Sequence, residues 1–486
     1  MAGDQDRAPV LDALAAYHAR GRYGFTPPGH RGTHGADPRA LQVLGADVYR
    51  NDVLSTAGLD DRKASAGIIA DAQKLMADAV GAEHAFFSTC GSSLSVKSAV
   101  LAVAGRHGRI LVSRDAHKSV ISGLVLSGLQ PVWVRPQWDA ERHLAHPPSP
   151  GDVKRAFADN DVAGLLITSP TPYGTCANLA AIAEICHAHD KPLIVDEAWG
   201  AHLPFHDDLP TWAMDAGADL CVVSTHKAGG GLEQSSAFHV QSERIDLAHL
   251  QQCADMLATT SPNVLLYAAM DGWRRQMVQH GHALLEAALQ RAHSLREELA
   301  ALDGIDVMHD ELLGEQASHD LDELQIVLDV SGLNISGYTA ADWLRSEHTL
   351  DMGTSDHRRI GVQLSYGDDP AAVDRLTSAL TALVKTTDTL PRATPMYLPS
   401  PDDLEMETVV RPRDAFFGDV EDVPIDRAAR RVCAEQITPY PPGIPAVLPG
   451  ERINAGVLDY LRTGIDAGMK IPDAADPKLA TIRVLR

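Results

Sequence analysis

Six cysteines are scattered through 486 residues, at Cys90, Cys176, Cys186, Cys221, Cys253 and Cys433, and none forms a Cys-x-x-Cys pair. A zinc ribbon or thioredoxin-type site is excluded on that spacing, and no metal centre is expected. Scattered thiols in a chain this long suit a reducing cytoplasm. There is no apolar stretch long enough to span a bilayer. The opening Met1-Ala-Gly-Asp-Gln-Asp-Arg7 shows no basic segment followed by an apolar run, so no secretory leader is expected. Positive charge is in short supply: 42 Lys and Arg against 65 Asp and Glu leave a formal charge of −23. Such a surface favours solubility and disfavours non-specific contact with nucleic acid. Internal repeats and low-complexity tracts are absent too. What remains is an ordinary globular balance, 45% hydrophobic and 22% charged, with length for two or three domains.

The first part, residues 1–60, reads as an arm or lid: a short helix over Pro9–Arg20, then the turn-rich Thr26-Pro-Pro-Gly-His-Arg-Gly32. From about Ser65 short apolar runs alternate with helical segments. The runs are Ala85–Phe87, Arg109–Val112, Val132–Val134, Ala163–Thr168, Pro192–Val195, Leu220–Ser224 and Ala237–Val240. Helix-like stretches such as Ser93–Val103, Lys118–Leu126 and Leu179–His189 lie between them. Buried runs separated by helices imply an α/β domain, a mostly parallel seven-stranded sheet covered on both faces, here assigned to residues 61–262. Residues 263–390 begin with a long helix, about Val264–Leu302, and continue as a smaller α+β segment. Its strand candidates are Gln325–Val330 and Gly361–Ser365, and its helices lie near Ala340–Ser346 and Ala371–Lys385. Proline-rich stretches lead into a compact C-terminal piece, residues 391–486.

In open parallel sheets, ligands bind beyond the carboxyl ends of the strands. Read there, the chain offers Asp196 after Leu193-Ile-Val, and Lys227 after Leu220-Cys-Val-Val-Ser-Thr-His. It also offers Gly91-Ser92-Ser93 just before a helix, and His117 after Ile110-Leu-Val-Ser-Arg-Asp-Ala. A lysine can form a Schiff base with an aldehyde. A carboxylate can keep a pyridinium nitrogen protonated, which makes the ring an electron sink. Gly-Ser-Ser at a helix start presents N–H groups and hydroxyls to a phosphate, and an imidazole can stack on a ring and shuttle protons. Together these are the needs of pyridoxal phosphate chemistry. Taken singly, each has a blander reading: a capping Asp, a solvated Lys, an N-cap serine. Their order along the chain favours the joint reading.

Other groupings carry less. His202 and His206 are four apart, but the intervening Leu-Pro-Phe breaks helical geometry and supplies no Glu. Gly229-Gly-Gly231 is not a P-loop, since no Gly-Lys-Ser/Thr follows, and it reads as slack backbone. Asp402-Asp-Leu-Glu-Met-Glu407 reads as a solvated face, and Pro439–Pro449 as a rigid connection.

These residues resemble the Orn/Lys/Arg decarboxylase family over nearly the whole chain. The resemblance is carried by Thr26-Pro-Pro-Gly-His30-Arg, Gly58-Leu-Asp-Asp61, His117-Lys-Ser119, Asp196-Glu-Ala-Trp199, Ser224-Thr-His-Lys227, Pro412–Phe417 and Thr438–Pro445. It implies the pyridoxal phosphate fold type I, with a large sheet domain and a smaller α+β domain. It implies decarboxylation of a basic amino acid, with arginine favoured over lysine and ornithine by chain length and layout. Pyridoxal 5′-phosphate would be held covalently by Lys227, with Asp196 on the ring nitrogen, His117 on the ring face and Ala198 beneath it. Gly91, Ser92, Ser93, Ser224 and His226 would serve the phosphate, and His226 or Lys227 would return the proton. Thr259-Thr260-Ser-Pro262 resembles a segment that reaches a second subunit's site, which implies a homodimer or larger assembly with shared active sites. Residues 391–486 would be the family's C-terminal domain.

Two departures stand out. The family's Asn/Gln-Gly-Thr/Ser turn reads Cys90-Gly91-Ser92 here. The glutamate associated with the substrate's distal group is missing from His348–Asp356, where Gly353 stands near its place and Asp351 and Asp356 are the acids on offer. Transamination or oxidative deamination on the same lysine and aspartate is the alternative reaction, and a non-catalytic cofactor-binding homologue is the alternative class.

Overall fold

The computed structural model describes residues 3–54, 60, 67–105, 108–440 and 443–486. Gly58, Leu59 and Asp61 of the Gly-Leu-Asp-Asp element, and Pro441 and Pro442 of the Pro-rich one, lie outside the described residues. The chain divides into two compact units. The first comprises Met1–Ala102, Ile194–Asp207 and Thr211–Ala283; the second comprises Val103–Leu193, Asp208–Pro210 and Leu284–Arg486.

All seven apolar runs are strands of one sheet: β1 His84–Ser88, β2 Arg109–Ser113, β3 Gln130–Val134, β4 Leu165–Thr168, β5 Leu193–Asp196, β6 Leu220–Val223 and β7 Ser236–Val240. Their order is β1-β7-β6-β5-β4-β2-β3. Strands β4, β5 and β6 are buried at every residue. That is why they read as unbroken Leu/Ile/Val runs rather than alternating ones. Strand β7 is the exception to parallel order, running antiparallel to both β1 and β6. The sheet is therefore mostly parallel, as in pyridoxal phosphate fold type I.

Helices occupy the expected intervals, including Gly91–Ala102, Lys118–Ser127 and Leu179–Ala188. Asn178 caps the last of these by accepting from Ala181 N, which satisfies one of the orphan donors of a helix start. A 37-residue helix, Val264–Ala300, follows the first domain's strands in sequence.

The second unit also holds an antiparallel sheet of three strands, β8 Asp306–Met308, β9 Gln325–Asp329 and β10 Arg359–Gln363. Strand β10 begins two residues earlier than its apolar pattern suggests, because Asp329 pairs with Arg359 in the ladder. In the C-terminal piece, β11 Val420–Pro424 pairs with β12 Thr481–Leu485. The helix Ala455–Asp466 contributes Leu458 and Leu461 to a core with Val447, Ile453, Ile482 and Val484. The Pro-rich connection belongs to this core: Ile437 bridges to Val447, and Ala446 to Leu448 are buried.

Candidate active site

Strands β5 and β6 run parallel with Asp196 opposite Val222, so the chain leaving each strand emerges on the same side. Asp196 closes β5 and is 3% exposed. Burial pushes its carboxyl up to about 6, while the Lys227 charge and the Ala198 N–H pull it down. Its Oδ1 is buried with no hydrogen-bond partner. Lys227 sits in the turn after β6, its N–H donating to Ser224 O at 3.2 Å. Burial pushes its amine below the ordinary lysine value, and the Asp196 charge partly restores it. The ammonium lies 4.0 Å from the centre of the Trp199 ring, a cation–π contact.

Ser92 opens the helix that follows β1, and its Oγ accepts from the Ser224 hydroxyl at 2.7 Å. Gly91 has φ +74, the left-handed conformation that glycine adopts without steric cost. It lets the chain turn from the strand into the helix, with its own N–H donating to Gln234 O. The first-turn N–H groups of such a helix have no partner within it. Ser93 is in this first turn and half-buried. Ala198 is buried, its carbonyl accepting from Ser224 N. His226 Nδ1 lies 2.8 Å from Ser235 O. A carbonyl only accepts, so Nδ1 carries a proton, and Nε2 lies 3.8 Å from Glu233.

The first unit thus brings together Gly91, Ser92, Ser93, Asp196, Ala198, Ser224, His226 and Lys227. Thr260 belongs to the same unit but is exposed, in the loop before the long helix. His117 belongs to the second unit, where it caps Lys118–Ser127. Its Nδ1 accepts from Ser119 N at 3.3 Å, which leaves the proton of the neutral ring on Nε2. The ring lies against Gly443, where an added Cβ would come 3.1 Å from His117 Cδ2.

Three features escape the sequence reading. Glu197 is 1% exposed. It accepts from Cys221 Sγ at 3.0 Å and Ala213 N at 3.3 Å, and burial pushes it up to about 8. Successive strand residues face opposite ways; that alternation was the available signal that Asp196 and Glu197 serve different surroundings. Trp199, conspicuous in its motif, packs on the lysine itself. The Gly229-Gly-Gly231 run is not slack backbone: a Cβ on Gly229 would meet Thr225 O at 2.5 Å, and one on Gly231 would meet Thr225 Oγ1 at 2.8 Å. These glycines are required by close approach.

The two acids offered in place of the missing glutamate also separate. Asp351 is exposed and pairs with Arg345. Asp356 is largely buried, accepts from Tyr173 Oη at 3.0 Å and pairs with Arg359 at 2.7 Å. Arg359 and the backbone N–H groups of Arg358 and Arg359 hold its carboxyl below the usual range against the opposing effect of burial.

The profile of the family described as Orn/Lys/Arg decarboxylase, major domain, matches residues 8–329. The chain belongs to the Orn/Lys/Arg decarboxylase family. The profile of that family's C-terminal domain matches residues 396–474. The arginine decarboxylase of Bacillus subtilis strain 168 is 35% identical over 486 residues, covering 99% of this chain and 98% of the relative. The lysine decarboxylase LdcA of Pseudomonas aeruginosa is 25% identical, covering 93% of this chain and 75% of the relative. Among solved structures, the Escherichia coli constitutive lysine decarboxylase superposes with a TM-score of 0.82 at 22% identity, covering 99% of this chain and 82% of that one. The serine palmitoyltransferase of Sphingomonas wittichii superposes with a TM-score of 0.54 at 15% identity, covering 79% and 85%; these two show the fold. Membership makes the chain a pyridoxal-phosphate-dependent decarboxylase acting on a basic amino acid. No helix among the described residues is long and apolar enough to cross a membrane.

The decarboxylase's own residues fit that cofactor. A buried carboxylate oxygen without a partner suits a protonated ring nitrogen, since an unpaired buried acceptor is costly until a donor meets it. The paired Ser92 and Ser224 hydroxyls, at a helix N-terminus, suit a phosphate.

Proposed function

We propose that the chain decarboxylates L-arginine, releasing the corresponding amine and CO2, with pyridoxal phosphate held at Lys227. The observation that carries this reading is the buried Lys227 beside the Asp196 carboxylate, whose Oδ1 has no hydrogen-bond partner. Arginine is favoured by relatives named arginine decarboxylase, in Bacillus subtilis and in Halalkalibacterium halodurans, at 35% and 36% identity.

When bound, pyridoxal phosphate supplies an aldehyde that engages amines and a ring that takes up the electron pair left by departing CO2. Lys227 acts as the amine that carries the cofactor, and burial helps by favouring its uncharged, nucleophilic form. Asp196, ionised at neutral pH, holds the proton on the ring nitrogen through Oδ1. Ser92, Ser93 and Ser224 hold the phosphate with the N–H groups that follow Gly91. Ala198 would pack beneath the ring. His226 or Lys227 would return the proton to the carbon that lost CO2.

The enzyme works as a homodimer or larger assembly in the cytoplasm. The exposure of Thr260, and of Met256 at 69% in the helix Leu247–Leu257 just before it, supports a contact of this region with a second copy. Neither Asp351 nor Asp356 is a free carboxylate for the guanidinium, so the distal group is read by other residues.

Mass spectrometry of products after separate incubation of cofactor-loaded protein with arginine, lysine and ornithine tests the proposal. A product lighter by CO2 from arginine is expected, and Lys227→Ala should lose both the cofactor's absorbance and this product. A keto acid, or turnover of lysine or ornithine alone, would overturn it.

A further inference from the structure

A cavity of about 250 Å³ lies wholly within the second unit, lined by residues from the 114–173, 338–359 and 396–460 stretches. An engineered apolar cavity of about 150 Å³ takes a benzene ring, so this one has room for a larger ring system. Its walls are predominantly apolar and rich in flat rigid rings, including Trp138, Tyr173, Tyr338 and Tyr460.

The polar groups divide into two sets. The charged ones are already engaged. Arg359 pairs with Asp356 at 2.7 Å and its guanidinium lies over the Tyr173 ring. Arg114 pairs with the buried Glu451 at 3.2 Å, and Arg135 pairs with Glu405. Asp115 accepts from the Ser113 hydroxyl. Burial and the neighbouring arginines push the His143 and His357 rings below the ordinary histidine value, so they are neutral. The uncharged groups are different: His143 Nδ1 and His357 Nε2 are buried without a hydrogen-bond partner. The Tyr338 and Tyr460 hydroxyls have no hydrogen-bond partner among the described residues. Burial and the Asp356 charge push both phenols up, so they remain donors throughout the physiological range. A phenol in an apolar wall normally finds a partner.

A charged ligand would have to displace an existing ion pair, leaving a buried charge uncompensated at large cost. A flat uncharged ligand would stack on the rings and accept from the two phenols without that cost. We propose that this cavity is a binding site for a small uncharged planar heteroaromatic molecule, recognised by the Tyr338 and Tyr460 hydroxyls. The inference is independent of which amino acid the enzyme decarboxylates.

The test is calorimetric titration of the cofactor-loaded full-length protein with 7-azaindole and with nicotinamide, both uncharged at neutral pH. Saturable binding of at least one probe is expected, unaffected by saturating arginine. The double variant Tyr338→Phe/Tyr460→Phe keeps the rings and removes both hydroxyls. It should bind roughly tenfold more weakly. Absence of saturable binding to the unaltered protein would overturn the proposal. So would unchanged affinity in the double variant, and so would displacement by arginine, which would assign the cavity to the substrate. Should the double variant fail to fold, Tyr460→Phe alone carries the same comparison with a smaller expected loss.

Discussion

The Ser224 hydroxyl donates to the Ser92 hydroxyl across 2.7 Å, although 132 positions separate them in the chain. One follows β6 and the other follows β1, and β7 lies between those strands in the sheet. A pair of hydroxyls that bond each other can turn together toward an incoming anion, and the helix that Ser92 opens adds its own favourable field.

Removing both hydroxyls in Ser92→Ala/Ser224→Ala should therefore weaken pyridoxal phosphate binding by roughly 10- to 100-fold, at about 1.5–3 kcal/mol per lost bond to a charged group partly offset by the remaining N–H donors. Titration of the cofactor's absorbance measures this. Retained affinity would remove these serines from the phosphate's site.

Asp196→Asn keeps the shape of the side chain and removes its charge. On the proposed assignment the ring nitrogen then loses the group that would keep it protonated, and turnover should fall by roughly 10²–10⁴-fold while the cofactor stays bound. Steady-state rates beside the bound-cofactor spectrum separate the two effects. Near-normal turnover would contradict the assignment of Asp196.

Glu197 carries a pH effect on stability whose sign follows from burial. Its pKa rises from 4.5 to about 8 on folding, so between those values the folded chain holds a proton that the unfolded chain has released. The contribution is fully present below pH 4.5 and is lost as pH climbs toward 8, at about 1.4 kcal/mol per pH unit. Glu197→Gln cannot ionise. Its urea midpoint should fall less than the parent's between pH 5 and pH 8, and parallel curves would show that Glu197 is not protonated in the fold.

His146 acts in the opposite window. It is fully buried with both ring nitrogens unpartnered. Burial and the Arg142 and Arg359 charges push it from 6.5 to about 4, against the pull of Asp139. Stability from this neutral ring is present above pH 6.5 and is lost as pH falls toward 4. Replacing it by leucine should flatten the decline of the thermal midpoint between pH 7 and pH 4.5. A decline as steep as the parent's would place the acid sensitivity elsewhere, for example at His239, which is pushed to about 3.

The large sheet was open to reading from one chain because its central strands are buried on both faces. Leu165-Leu-Ile, Leu193-Ile-Val and Leu220-Cys-Val-Val have to be apolar throughout, and the residues just beyond them are where a parallel sheet opens to ligands. The rest was hidden for identifiable reasons. Gly229 and Gly231 look like slack until Thr225 is seen against them. Asp356 looks like a free acid until Arg359 and Tyr173 are seen on it. Glu197 looks like part of a motif until its burial beside Cys221 is known.

The sequence by itself determined the strands, their following residues and the family, since hydrophobic runs and local motifs are properties of neighbouring residues. Only the tertiary structure decided which charges are already paired, which hydroxyls are not, and which carboxyl keeps its proton. Those outcomes depend on desolvation and on partners distant in the chain, and neither is encoded at any single position.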